Sequence, residues 1–184
     1  MEAFHYPTTI NPFALDSSEC LLLLEIVREL DIKSCLEFGA GVSTQIFVQI
    51  LGISNIWSFE THGPTLALLS GYQLHQRDMN HAYTSSMHYE DRLVFGRSHF
   101  DMAFVDGPPV YSKEMLYEGK YARWNSVICA KLFSDVILMH DTLRFGEQCT
   151  IQALLGNWIR REFKSMRGLT LFKRPIDTSD LAAS

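Results

Sequence analysis

Four short segments concentrate the residues able to do chemistry. They are Glu37-Phe38-Gly39-Ala40-Gly41-Val42-Ser43-Thr44, Trp57-Ser58-Phe59-Glu60, Asp101 to Gly107 and His140-Asp141-Thr142. Gly39 and Gly41 permit a tight turn and a close approach of a ligand to the backbone. The third glycine of a dinucleotide fingerprint, G-x-G-x-x-G, would fall at position 44, which is Thr44. An acid at Glu37 would repel a diphosphate and suits a cationic or hydroxyl-rich ligand instead. Glu60 follows the glycines by about twenty residues, where a carboxylate accepts hydrogen bonds from the two hydroxyls of a ribose. Asp106 and Asp141 offer carboxylates as base or substrate anchor, and a neutral imidazole at His140 could serve as general base. Neighbours on a strand face opposite ways. One of His140 and Asp141 should therefore face the pocket; we expect Asp141, with His140 in reserve. Arg123 and Arg144 could bind an anionic substrate, although arginines more commonly serve as solvated surface charges.

The elements that must position these residues follow from pattern. Asp16-Ser17-Ser18-Glu19 reads as a helix start, with an oxygen cap and an acid at the positive end of the dipole; that helix should reach about Leu30. Short apolar strands are expected at 34–38, 55–60, 100–105 and 135–141, with a further modest one at 92–95. Helices are expected from Ser43 to about Gly52, from Pro64, over 121–132 and over 150–163, before a last strand at 169–172. Short strands alternating with helices imply βαβ units. The fold class is then α/β: a Rossmann-like, doubly wound, mostly parallel sheet with helices on both faces. Such sheets bind ligands beyond the carboxyl ends of their strands, where the four segments fall. Residues 72–99 are polar and carry His75, Asp78, His81, His88 and Asp91 without the tight spacing of zinc ligands; they read as a lid or solvated loop, with a minor place for Asp78 near an adenine.

The chain has 184 residues, 47% hydrophobic and 20% charged, with a net charge of -5. That describes one domain, 1–184, with an irregular lead-in over 1–15 and enough chain to bury a core without staples. An acidic balance gives no general reason to bind nucleic acid or an anionic membrane. Four scattered cysteines form no zinc or disulfide pattern, no apolar run is long enough to span a bilayer, and no signal peptide is visible. A cytoplasmic protein is expected.

On these residues the chain resembles the class I S-adenosylmethionine-dependent methyltransferases, small O-methyltransferase-like proteins in particular. Glu37-Phe38-Gly39-Ala40-Gly41, Trp57-Ser58-Phe59-Glu60, Phe100 to Pro108 and Val136 to Arg144 carry the resemblance, which covers roughly residues 20–173. It implies S-adenosylmethionine as cofactor, with Glu37, Phe38, Gly39, Gly41, Ser43, Thr44, Glu60 and Asp106 around it. Glu37 would face the methionine end and Glu60 the ribose. Asp106, Asp141 and His140 would serve catalysis on a small-molecule hydroxyl. In related metal-dependent enzymes, an acid and an Asp-Asn pair bind magnesium; the matching positions here are Asp106, Asp141 and Thr142. Thr142 is a weaker ligand than an amide, so a divalent metal is disfavoured and no metal ligand is assigned.

Two alternatives stand beside this reading. A nicotinamide-dependent Rossmann oxidoreductase uses a similar sheet, but Thr44 and Glu37 oppose a pyrophosphate site. A non-catalytic nucleoside-binding module is the other. The sequence shows one closing strand where such methyltransferases place an antiparallel pair, so a reduced C-terminal sheet, or one completed in a homo-oligomer, is expected. The methyl acceptor would be recognised by residues 1–15, 72–99 and 108–122.

Overall fold

A computed structural model of the chain describes residues 15–60, 99–107 and 116–176. The expected helix from Pro64, the strand at 92–95 and the polar lid lie outside these residues. Six strands form one sheet in the order β2-β1-β3-β4-β6-β5. They are β1 (Cys35–Phe38), β2 (Ile56–Phe59), β3 (Met102–Val105), β4 (Val136–His140), β5 (Ile159–Phe163) and β6 (Leu169–Lys173). The first four are mutually parallel; β6 runs antiparallel to β4, and β5 antiparallel to β6. Among the described residues, four α-helices accompany them: α1 (Ser17–Glu29), α2 (Val42–Leu51), α3 (Trp124–Phe133) and α4 (Phe145–Leu154).

Alternation along the strands splits the core into two layers. Cys35, Met102, Phe104 and Leu138 face α1 and α2, where they meet Leu23, Ile26, Ile46 and Phe47. Leu36, Phe38, Ala103, Val105, Ile137 and Met139 face the other layer, with Val127 and Phe133 of α3 and Ile151 of α4. Helix α1 starts as its sequence indicates. The Asp16 carboxylate accepts from the amides of Ser18 and Glu19, and Glu19 accepts from the amide of Asp16 in return, a capping box that satisfies the free donors of the first turn.

The last quarter corrects two expectations. Residues 150–163 are not one helix: α4 ends at Leu154, Gly156 follows, and Ile159–Phe163 is a strand. That strand lies at the sheet edge and is largely exposed, so it lacks the apolar alternation that would reveal it. Nor is the sheet reduced. The pairing Ile159↔Lys173 through Phe163↔Leu169 supplies the full antiparallel pair.

From β1 the chain moves to β2 on one side, then to β3 on the other. The strand order therefore reverses between β1 and β3, which opens a crevice at their carboxyl ends. Two glycines let the backbones meet there. A Cβ on Gly39, whose φ is +92°, would lie 2.7 Å from the Asp106 carbonyl carbon, and one on Gly107 would lie 2.6 Å from the Gly39 Cα. Gly41, two residues on, has none of the described residues within 4 Å of such a position. All four cysteines are free thiols. Among the described residues, no helix is long and apolar enough to cross a membrane.

These contacts separate the two glycines experimentally. Gly39→Ala should cost roughly 2 kcal/mol or more, because it combines overpacking against backbone with a left-handed conformation. Gly41→Ala should change stability by less than about 0.5 kcal/mol. Urea unfolding of both variants checks the contrast, and equal losses would contradict the close packing at the reversal.

Candidate functional site

The β1 turn is organised from beneath by Glu37. Its side chain shares the face of Cys35 and is fully buried. Oε1 accepts from the Ser43 hydroxyl at 2.5 Å, Oε2 from the Thr44 hydroxyl at 2.7 Å, and the Ser58 hydroxyl of β2 also donates to it. Thr44 Oγ1 in turn accepts from the Gly41 amide at 2.8 Å. Burial pushes the Glu37 carboxyl up to about 7, against the three hydroxyls that favour its ionised form. Glu37, expected to face a ligand ammonium, here bonds three hydroxyls and shapes the turn from behind. The hydroxyls of Ser43 and Thr44 are committed to it, and Phe38 is buried, stacked on Phe59 at 5.6 Å. Gly39, Gly41, Glu60 and Asp106 are left at the carboxyl edge, with Glu60 next after β2 and itself buried within existing contacts.

The tips of β3 and β4 carry a buried ionic network. His140 continues the face of Leu138 toward α1 and is fully buried. Its Nδ1 lies 2.8 Å from Asp106 Oδ1, and its Nε2 lies 3.1 Å from Glu19 Oε1. Burial alone would lower the imidazole pKa, but the Asp106 charge and the hydrogen bonds to both acids raise it to about 9. At neutral pH both ring nitrogens then carry protons and donate. His140 is therefore a charged bridge between two carboxylates, which corrects its expected role as a neutral general base. Asp106 is held below the ordinary carboxylate range: burial opposes this, while His140, Arg123 and Arg167 enforce it. Glu19 is lowered too, against burial, through the His140 contact.

Asp141 does not project into open space. Its backbone is left-handed, with φ 61°, and its Oδ2 accepts from Arg123 Nη2 at 2.6 Å and pairs with Arg144 Nη1 at 2.9 Å. The preference for Asp141 over His140 as the pocket-facing residue is corrected: both are buried, and Asp106, with 17% of its side chain exposed, is the member that reaches the rim. Arg123 is no surface arginine either. It is buried and donates through Nη1 to the carbonyls of Val105 at 3.2 Å and His140 at 2.8 Å. Nη2 also lies 3.3 Å from Asp106, and Nε lies 3.4 Å from Glu147, a carboxyl whose pKa burial raises against the pull of Arg123.

Asp106, His140 and Asp141 place ligand atoms within 4.8 Å of one another, but they do not suit a divalent metal. A metal needs a free imidazole nitrogen and free carboxylates, whereas both ring nitrogens of His140 face carboxylates and a guanidinium already pairs with Asp106 and Asp141. Beside this cluster, the segment before α3 and the start of α4 enclose a surface hollow of about 410 Å³. Lys120, Arg144 and Phe145 contribute to its lining. Tyr117 stacks on Trp124 at 4.8 Å and Tyr121 lies tilted against Trp124 at 4.7 Å, so these aromatics pack their own segment.

Glu19 and Arg167 were not anticipated. Arg167 lies 3.8 Å from Glu19 and 3.7 Å from Asp141. Glu19 carries a sequence signal only as an acid at the positive end of a helix dipole.

No protein-family model matches the sequence, and no curated protein does. Solved structures do. The O-methyltransferase TomG from Streptomyces achromogenes, in complex with SAM, aligns at 17% identity over 88% of this chain and 82% of that one, with a TM-score of 0.57. The O-methyltransferase from Bacillus cereus, in complex with SAH, aligns at 11% identity over 90% and 84%, with a TM-score of 0.58. The likeness fixes the fold. It is the Rossmann-like sheet on which methyltransferases are built. That sheet is not tied to one acceptor: the 16S rRNA N2 G1207 methyltransferase of T. Thermophilus, in complex with AdoMet and guanosine, aligns at 14% identity over 92% of this chain and 46% of that one, with a TM-score of 0.55.

The network predicts a pH dependence. His140 has a folded-state pKa above its unfolded value, so its contribution is complete below about 6.5 and lost as pH rises through about 9. Glu37, raised to about 7, likewise loses its contribution as pH rises through that value. Asp106 and Glu19 are lowered, and their contribution disappears only as the solution becomes acidic. Unfolding free energy should therefore fall between pH 7 and 9 by a few kcal/mol. His140→Gln should flatten the upper part of that slope, and denaturant titrations at several pH values measure it.

Proposed function

We propose that the chain is an S-adenosylmethionine-dependent methyltransferase that acts on a hydroxyl of a small molecule. The observation that carries the reading is the reversal between β1 and β3. There, Gly39 and Gly107 bring two strand tips into backbone contact, while the Cβ direction of Gly41 stays open at the start of α2. A helix N-terminus and an unobstructed glycine suit a carboxylate, and Glu60 after β2 suits ribose hydroxyls. Glu37 presents no free charge to that space, because its oxygens are engaged by Ser43, Thr44 and Ser58.

Once bound, S-adenosylmethionine supplies an electrophilic methyl on a sulfonium. The protein's part is alignment and proton handling. Gly41 and the first turn of α2 hold the amino acid end, and Glu60 accepts from the ribose. Asp106 would accept a hydrogen bond from the acceptor hydroxyl, orient its lone pair, and take the proton as the oxygen gains a third bond, to the methyl released by sulfur, and becomes strongly acidic. A carboxylate held ionised by His140 and Arg123 is a weak base, sufficient at that late stage and idle before it. The hollow beside Lys120, Arg144 and Phe145 suits a small acceptor with an anionic or flat portion. A net charge of -5 supports a small acceptor over a nucleic acid.

S-adenosylhomocysteine should stabilise the chain by about 2.7 kcal/mol at a hundredfold excess over its Kd, and NAD should not. Glu60→Ala and Gly41→Leu should each weaken that stabilisation at least tenfold in Kd. Thermal melts and calorimetric titration read both effects. A melting temperature insensitive to either sulfur nucleoside would overturn the reading. Release of S-adenosylhomocysteine stimulated by small phenols or polyols, and not by RNA, is expected for the acceptor class; the reverse would redirect the substrate assignment.

A further inference from the structure

Among the described residues, the sheet ends on β5, with no strand beyond it in the order β2-β1-β3-β4-β6-β5. Ile159 to Glu162 are exposed along it. Such an edge presents backbone amides and carbonyls that another strand can pair with. Alternation divides its side chains between two faces. Ile159, Arg161 and Phe163 share the α1 face. There Phe163 packs against the α1 and α2 layer, while Arg161 pairs with Glu29 and lies 4.8 Å from the centre of the Phe163 ring. Arg160 and Glu162 share the opposite face, where they pair with each other and leave 52% and 60% of their side chains exposed. Charges on an edge strand commonly keep other chains away. Here they are of opposite sign and flank Arg161 symmetrically, so they repel a second copy in some registers and attract it in one.

We propose that β5 pairs antiparallel with β5 of a second copy, centred on Arg161, and joins two sheets into one across a dimer. A two-fold axis through Arg161, perpendicular to the sheet, sets Arg160 of each copy opposite Glu162 of the other, and Ile159 opposite Phe163. Both charged pairs are then attractive and both outer pairs are apolar, as a self-complementary interface requires. Arg161 meets its own symmetry mate, but each guanidinium brings the Glu29 carboxylate and the Phe163 ring with it. Sliding the copies by two residues keeps both α1 layers on one side of the sheet. It sets Arg160 against Arg160 in one direction and Glu162 against Glu162 in the other. Like charges directly opposite are destabilising, so the side chains select the register centred on Arg161. The axis reverses strand direction, so the two carboxyl edges point opposite ways and the crevices between β1 and β3 lie clear of the junction. The pairing is independent of the methyltransferase reading.

Sedimentation equilibrium of the full chain across the micromolar range should show monomer and dimer in exchange. Arg160→Glu and Glu162→Arg, both at exposed positions, should each weaken the dimer about tenfold or more, because each turns two attractive pairs repulsive. An equimolar mixture of the two variants should recover association as a heterodimer, since every facing pair is again opposite in sign. The double variant Arg160→Glu/Glu162→Arg should self-associate like the wild type. A wild type that stays monomeric overturns the proposal, as does a dimer that neither single variant weakens or that mixing does not recover. Should a variant fail to fold, hydrogen exchange on the wild type decides. Amides of β5 should gain protection as protein concentration rises, and exchange independent of concentration would rule the pairing out.

Discussion

The carboxyl edge of this sheet depends on one arrangement: the Arg123 guanidinium buried between Asp106 and Asp141, with His140 charged between Asp106 and Glu19. Charges removed from water are costly, and mutual attraction repays that cost only where geometry and hydrogen bonds are complete. Here each ion belongs to a different part of the chain. Glu19 lies on α1, Asp106 follows β3, His140 ends β4, Arg123 precedes α3 and Glu147 lies on α4. No member can be satisfied unless those elements are docked together. The network therefore specifies the relative position of helices on both faces of the sheet more than it adds net stability. Removal of one partner leaves a buried charge unpaired, at a cost of about 3–5 kcal/mol in comparable cases.

Much of this edge follows from strand parity, which the sequence displays. Cys35 and Glu37, then Met102, Phe104 and Asp106, then Leu138 and His140, occupy alternate positions on three adjacent strands. The apolar members of these sets point into the α1 and α2 layer. The polar members must then point the same way, which brings Asp106 against His140 and carries Glu37 under its turn. The parallel order, the glycine turn and the cap of α1 were equally legible, because each depends on residues close in sequence.

What sequence did not disclose has a common physical origin. Glu19 and His140 are far apart in the chain, and a capping acid looks the same whether its second oxygen meets water or an imidazole. Arg123 resembles any surface arginine until the left-handed turn before α3 buries it. The charge on His140 depends on two carboxylates converging on one ring, a tertiary fact that no local spacing encodes. Strand β5 escaped because an exposed edge strand has no buried face to impose alternation, and Ile159-Arg160-Arg161-Glu162-Phe163 fits the exposed side of a helix as well.

These features bear on how such an edge can serve chemistry. A reacting hydroxyl gains most from groups that are already in place, because reorganisation during the reaction subtracts from the benefit. The Asp106 carboxylate meets that requirement through its neighbours: His140 binds Oδ1, Arg123 approaches the same oxygen, and Gly107, pressed against Gly39, fixes the backbone immediately after it. The same neighbours lower its basicity. An edge built in this way trades proton affinity for position. It suits a transfer in which the acceptor becomes acidic only as the new bond forms, and it suits poorly any reaction that must generate an alkoxide first.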